Sequence, residues 1–522
     1  IFHLNGALCA GAQDDPTTEW CGFWVSPADL ARQDAKLTDL QALYPNWVKP
    51  EYQPRAVALV LDLRGHARLK VELKGPNSRP DILWQRTVLV DTGGEIDRVS
   101  LPIPETVGAC KFVNVVLEPG AVVEVHRLAM ELEFGDVPFP DRTFLYSYAK
   151  AAACYDPDLG ICADRAHWPA EHVSSVSATG EFVLATAVAA ELGFVSQEDA
   201  LGILRKAHGV IASIPRGPAG LLPHFVENRD GKGWHIPPAE DQEFSSVDSA
   251  ICWITLMQAA WILEDKETYA AVLQDIRSMD FAQLYDSDGF ISHGFKQDGT
   301  RITWRWDGYG GETALAIILA RLAQGDAAIA KMNPNGGRVF RGVGFIAEIA
   351  SQLFPQFDSP EPDAVSGVNW LASRKQLLAD QIAHFEGTPA GEIGVFGLSA
   401  SEGPNGVGYL AQGPDEAEVE LIAPHLILMT AGLREDPEAV YDTLAAMQER
   451  GLFTPLGGLV ENVTPDLKTS LPMISSLNSG FECLGAQALL CRVRSRPNPV
   501  HTAALEAPEL RKAMEVFYPP KQ

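Results

Sequence analysis

The densest grouping of residues able to do chemistry is Thr303–Glu312, TWRWDGYGGE, which places Trp304, Arg305, Trp306, Asp307, Tyr309 and Glu312 within ten residues. Flat aromatic rings suit the C–H faces of sugars, and carboxylates suit their hydroxyls. Gly308, Gly310 and Gly311 let the backbone turn sharply or approach a ligand. Glu312 falls at the start of a helix, where a carboxylate also complements the helix dipole. That simpler explanation covers Glu312 but not its neighbours. A second grouping, Leu221–Glu243, presents His224, Phe225, Trp234, His235, Glu240, Asp241 and Glu243 and then enters a helix carrying Asp248. A solvated acidic loop around one buried Trp is the plainer alternative, but long aromatic-bearing loops are where binding residues gather.

Other segments carry weaker signals. Phe396–Gln412 contains Ser399, Ser401, Glu402, Asn405 and Tyr409, yet it lacks the final Gly of a GxSxG elbow and the Gly-Lys-Ser/Thr of a phosphate loop. It reads equally well as a Gly-rich turn. His167 and Trp168 could line the same cleft or pack against each other. Asp286-Ser287-Asp288-Gly289 lacks the remaining ligands of a calcium loop and reads as a turn. Cleavage of a glycosidic bond needs one carboxylic acid to protonate the leaving oxygen and a second carboxylate as base or nucleophile. The loops supply carboxylates in number, and no Ser-His-Asp signature competes.

The elements that must position these residues change character along the chain. Residues 50–134 contain Val- and Leu-rich runs separated by turn signals such as Lys74–Asn77 and Asp91–Gly94, the spacing of a β-sandwich. Residues 1–49 read as an N-terminal extension and Gly135–Asp141, with two prolines, as a linker. Residues 142–522 show apolar spacing near the helical period in a dozen segments, among them Glu171–Leu192, Ser246–Glu264, Glu312–Gln324 and Val419–Ala431. Ser196, Ser245 and Asp436 are placed as helix caps. So many helices with long loops fit a closed ring of helix pairs. The expected fold is mainly α: an α/α toroid preceded by an N-terminal β-sandwich.

Composition narrows the partners. The formal charge of -27 disfavours nucleic acid and other polyanions. No apolar run reaches the roughly 18 residues of a membrane span. The eight cysteines form no CxxC pair, so no zinc site is expected and no metal or cofactor is assigned. Cys252 and Cys491 lie in apolar helical runs as expected buried thiols, while Cys154 and Cys162 bracket a turn and could form a disulfide. The chain begins at Ile1 rather than Met, as a cleaved signal peptide or a shortened chain would leave it.

Several segments, in order, resemble bacterial glucoamylase-like proteins. They are Glu243–Ala250 (EFSSVDSA) opening an apolar helix, the Trp-rich run into Tyr309 and Glu312, Gly397–Pro404 (GLSASEGP), and Ile422-Ala423-Pro424 with His425 in place of an aromatic residue. The resemblance spans roughly residues 150–495. That group includes the endo-β-1,2-glucanases of glycoside hydrolase family 144. The resemblance implies a toroid, a periplasmic or secreted setting, and cofactor-free hydrolysis of a β-linked glucan, most plausibly β-1,2-glucan. The chain departs from the group at Gly311, where Asn is usual, and at Asn478–Gly485. On residues and resemblance together, Glu312 is the expected catalytic acid, with Asp248 or Glu243 as the second carboxylate. Trp234, His235, Trp304, Trp306, Asp307, Tyr309, His224, Trp168 and Glu402 are the expected contacts to an oligo- or polysaccharide. A non-catalytic glycan-binding or assembly protein and a transglycosylase are the alternatives on the same scaffold.

Overall fold

The computed structural model describes residues 8–11, 21–25, 38–75, 81–117, 122–166, 173–228, 233–237, 242–403, 407–454, 457–471 and 473–520. The expected contact Trp168 lies outside them, as do His167, Glu240, Asp241 and Asn405.

The Val- and Leu-rich runs form strands, but not two separate sheets. β1 (Leu8–Gly11) and β2 (Cys21–Val25) precede β3 (Thr38–Asp39) and the long β4 (Arg55–Lys74). After these come β5 (Ile82–Asp91), β6 (Asp97–Pro102), β7 (Ala109–Cys110), β8 (Phe112–Leu117) and β9 (Val122–Glu133). All but β3 and β7, which pair with each other, join one seven-stranded antiparallel sheet. The reason is β4, whose 20 residues serve two neighbourhoods. Its first half pairs with β6 and β9, its second with β5 and β8. Leu59, Leu61, Leu63, Leu69, Val71 and Leu73 of this strand all enter one apolar core. β1 and β2 come from before residue 50, so the sheet reaches beyond the expected sandwich range.

The helices follow: α1 (Phe139–Cys154), α2 (Val176–Glu191), α3 (Gln197–Ser213), α4 (Ser246–Ile262), α5 (Lys266–Arg277), α6 (Gly311–Gln324) and α7 (Gly344–Leu353). Then come α8 (Trp370–His384), the one-turn α9 (Pro389–Glu392), α10 (His425–Met429), α11 (Glu438–Glu449), α12 (Ser476–Val493), α13 (Pro499–Glu506) and α14 (Pro508–Met514). Contacts run from α2 to α4, α6, α7, α10 and α12 and back to α2, a closed cycle. A helix that is apolar on all sides must lie inside. α2 is buried from Val176 to Ala189 and α4 from Asp248 to Ala260. α3 and α5 bury only one stripe each and pack outside, on α2 and α4.

Ser196 and Ser245 cap α3 and α4 through the backbone N–H groups of Asp199 and Asp248 at 3.1 and 3.2 Å. Asp436 accepts from Glu438 N at 2.9 Å at the head of α11. Several boundaries differ from expectation. The helix expected at Val419–Ala431 contracts to α10, because Ile422 is spent in an antiparallel bridge with Val463. α2 starts only at Val176, because Ser174–Ser175 is a short strand. α1 begins within the expected linker, at Phe139. Cys154 and Cys162 are both buried thiols rather than the halves of a disulfide, and Cys252 and Cys491 are buried thiols as well. No helix among the described residues is long and apolar enough to cross a membrane.

An aromatic chain helps join the sheet to the helices. Rings of Tyr44, Phe134, Tyr146 and Phe453 meet edge to face in a chain from the end of the sheet into the helices. Inside, Lys150 of α1 pairs with Glu482 of α12 at 2.5 Å and also donates to Leu459 O at 2.6 Å. Glu482 further accepts from Ser147 Oγ and Leu459 N. Both charges are fully buried, so removing one partner strands the other. Lys150→Met is expected to cost about 3–5 kcal/mol in urea unfolding. Lys150→Met/Glu482→Leu should recover most of that loss, and a negligible effect of the single change would contradict this reading of the pair.

Candidate active site

Helix N-termini carry the candidate chemistry. Ser245 caps α4, and three residues on lies Asp248, almost completely buried. Asp248 Oδ1 accepts from Ser177 Oγ at 2.7 Å, a residue in the first turn of α2. His224 Nε2 stands 3.8 Å from the same oxygen, its ring stacked on Phe225 at 3.9 Å. Glu243 sits on the strand Glu243–Ser245 that leads into α4.

Gly310 caps α6 with φ 157, a conformation open to Gly. Gly311 serves packing: a Cβ there would come within 2.3 Å of Ile349 Cγ2 on α7. The expected close approach is thus between helices. Glu312 follows in the first turn of α6, half-buried, with no hydrogen-bond partner among the described residues. The helix dipole there favours the carboxylate anion. Burial and the neighbouring Asp248 outweigh it, raising Glu312 to about 7. Glu243 is raised to about 7 as well, by burial and then Asp248, against an opposing pull from His224.

Behind these lies a carboxyl group that sequence reasoning missed. Glu181 of α2 is fully buried, and neither carboxyl oxygen has a hydrogen-bond partner. Its Oε2 lies against Gly480 of α12, where any Cβ would stand 2.4 Å away. Burial, then Asp248, pushes its carboxyl well above the usual range. The sequence signal was a lone acid in the otherwise small and apolar stretch SATGEFVLATAVAA.

The opposite wall was also only partly foreseen. Ala400–Gly403 and Gly408–Ala411 form a hairpin, with Glu402 held by Arg165 at 3.0 Å. Glu461, unforeseen, is buried and accepts from Ser475 Oγ at 2.7 Å, Asn478 Nδ2 at 2.8 Å and Glu402 N at 3.2 Å. Its carboxyl is raised by burial, opposed by Lys150 and those hydrogen bonds. Its signal was again an acid in an apolar run, LGGLVENV. Tyr409, 65% exposed, stands at the opening. Its phenol is pushed up by the surrounding protein and then by Glu312, Glu461, Asp164 and Asp248, so those four carboxyl groups lie within electrostatic reach of it.

The expected sugar contacts divide. Trp304 is 74% exposed and free to offer a face. Trp306 is fixed, stacked on His293 at 3.8 Å and donating from Nε1 to Ser246 Oγ at 2.8 Å. Burial lowers His293 to about 4, so that ring stays neutral. Tyr309 contradicts expectation: it is buried, edge-on to Trp370 at 4.5 Å, because the turn before α6 aims it into the core rather than the cleft. Asp307 joins Asp286 and Asp288 around Arg305 at 2.7–3.2 Å, so the acidic turn closes on a guanidinium. His235 is exposed and its backbone pairs with Glu227, while Trp234 leans on the apolar core. Ser399 and Ser401 are buried and bonded to His425 and Asn462.

No protein-family model matches the sequence, and no curated protein matches it. Solved structures do. A candidate glucoamylase from Bacteroides fragilis superposes with a TM-score of 0.60 at 16% identity, over 73% of this chain and 97% of that one. An endo-β-1,2-glucanase from Chitinophaga pinensis, in complex with sophorotriose and glucose, gives 0.57 at 15%, over 72% and 97%. A β-1,2-glucanase from Parabacteroides distasonis gives 0.60 at 11%, over 91% and 90%. The chain shares their fold, which is the group its sequence resembles.

A carboxyl held protonated by its surroundings has a linked effect on stability. The folded state keeps the proton above the unfolded value near 4.5, so stability falls as pH rises from there to about 7 and levels off beyond. Glu312→Gln mimics the neutral acid. It is expected to raise stability at pH 8 by about 1–3 kcal/mol and to leave it nearly unchanged at pH 4.5. Urea unfolding at the two pH values checks this; an equal effect at both would contradict it.

Proposed function

We propose that the chain is a glycoside hydrolase that cleaves a β-linked glucan, β-1,2-glucan being the substrate the resemblance favours. The observation that carries this reading is Glu312, a half-buried carboxyl in the first turn of α6, raised to about 7 by burial and then by the neighbouring Asp248. A group with that affinity is still about half protonated at neutral pH and can give its proton to a departing glycosidic oxygen. Asp248, oriented by Ser177, is the favoured second carboxylate. Glu243 is the weaker choice, since a group also raised to about 7 is ionised only at higher pH. Trp304 offers the open ring face for a sugar, with Trp306, His224 and Glu402 lining the approach. The closed cycle of α2, α4, α6, α7, α10 and α12 supports an α/α toroid as the catalytic scaffold, with the N-terminal sheet as an accessory part. A periplasmic or secreted location belongs to the proposal on resemblance alone.

The test is incubation with linkage-defined glucans, with product size and anomer read by NMR. Shortened β-1,2-gluco-oligosaccharides are expected. Glu312→Gln should lower kcat by about 10²–10⁴-fold with the fold intact by circular dichroism. The native rate should decline as pH rises through about 7, where Glu312 loses its proton. Tight binding without products would favour a glycan-binding protein, transfer oligomers would favour a transglycosylase, and near-normal turnover by the Gln variant would remove Glu312 from the mechanism.

A further inference from the structure

A cavity of about 480 Å³ lies where the sheet meets the helices, lined by Arg98, Met130, Arg142, Tyr146, Gln448 and Thr454 among others. Its size falls within the usual range of small-ligand sites, about 300–1,000 Å³. It lies away from the candidate active site. Arg142 is in the first turn of α1, whereas the acidic cleft lies past the other end of that helix. The twelve helical steps from Arg142 to Cys154 span about 18 Å.

Polar groups in the cavity wall are left uncommitted by the protein. Thr454 is buried and its Oγ1 has no hydrogen-bond partner; Arg142 Nε is likewise buried without one. Buried polar atoms of this kind cost free energy unless something fills their valence. Tyr146 OH accepts from Gln448 Nε2 at 3.2 Å. Arg98 is bound to Asp62 through two hydrogen bonds of 2.7 and 3.0 Å, so its charge is compensated. Met130 supplies an apolar wall. The set offers hydrogen-bond donors and two glutamates, Glu131 and Glu449, beside an apolar face, without an uncompensated cluster of cations, and it belongs to a chain of charge -27. Those properties match a neutral polyhydroxylated ligand better than an anion.

We propose that this cavity is a second saccharide site, holding one or two sugar units of a glucan chain apart from the cleft. The choice of a glucan rests on the function proposed above; the existence of the site does not. Gly451 and Thr454 of the cavity wall precede Glu461 of the candidate active site by ten and seven positions, so the two regions are close in the sequence.

The test is calorimetric titration of the full-length Glu312→Gln protein with a linear β-1,2-gluco-oligosaccharide of about ten units, alongside hydrolysis of a short oligosaccharide by proteins that keep Glu312. Two binding events are expected. Arg142→Met and, separately, the near-isosteric Thr454→Val should weaken one event by about tenfold or more. Both variants should leave the other event, and the KM and kcat for the short substrate, within about twofold of native values. One event unaffected by either variant, with hydrolysis intact, would overturn the second site alone. No binding and no hydrolysis would overturn the proposed function together with the glucan assignment. Displacement of the Arg142-dependent event by sulfate would overturn the neutral ligand.

Discussion

The candidate site turns on negative charge gathered where water is scarce. Asp248 is the hub. Its charge acts on Glu312 and Glu243 in the cleft and on Glu181 behind it. The buried cation in this part of the fold, Lys150, is committed to Glu482, and Arg165 is committed to Glu402. Neighbouring carboxyls that lack a cation cannot all ionise cheaply, so protons stay on some of them at pH values where free carboxylates have lost theirs. The groups interact, so they titrate as a set rather than one by one. An acid that is still protonated at neutral pH and an adjacent carboxylate are the two parts glycoside hydrolysis needs.

The helical framework makes this arrangement affordable. α2 and α4 are apolar almost throughout, so burial of their bodies fixes where their first turns must sit. Ser245 and Gly310 stand as N-caps and start α4 and α6 at set points, which brings Asp248 and Glu312 into electrostatic contact. Gly480 clears space for the Glu181 carboxyl, and Gly311 lets α6 pack closely on α7. Across the cleft, Glu461 is held by Ser475 and Asn478 at the head of α12. Asn478 lies in the segment that departs from the resembling group, and here that departure anchors a carboxylate.

Much of this was legible in the sequence, and the limits follow from which signals are local. Helix periodicity gave α4 and α6, and Ser196 the start of α3, to within a residue or two, because amphipathic spacing and capping act within a few residues. The joint occurrence of acids and aromatics picked out Asp248, Glu243 and Glu312. Their shared neighbourhood was not legible, since it depends on the packing of α2, α4 and α6. Tyr309 shows the converse: composition marked it as a sugar platform, yet one backbone turn sends it into the core against Trp370. Glu181 and Glu461 escaped because a single acid in an apolar run resembles noise until tertiary structure gives it neighbours. β4 misled for a similar reason, since strand propensity does not record how many partners a long strand serves.

The measurement closest to the central claim is direct titration of Glu312. Glutamate labelled with ¹³C at the side-chain carboxyl, compared between the native protein and Glu312→Gln, identifies the one resonance that disappears. If the cleft holds a proton as described, that resonance titrates at about 7. A midpoint near 4.5, the value of a solvated glutamate, would contradict the account.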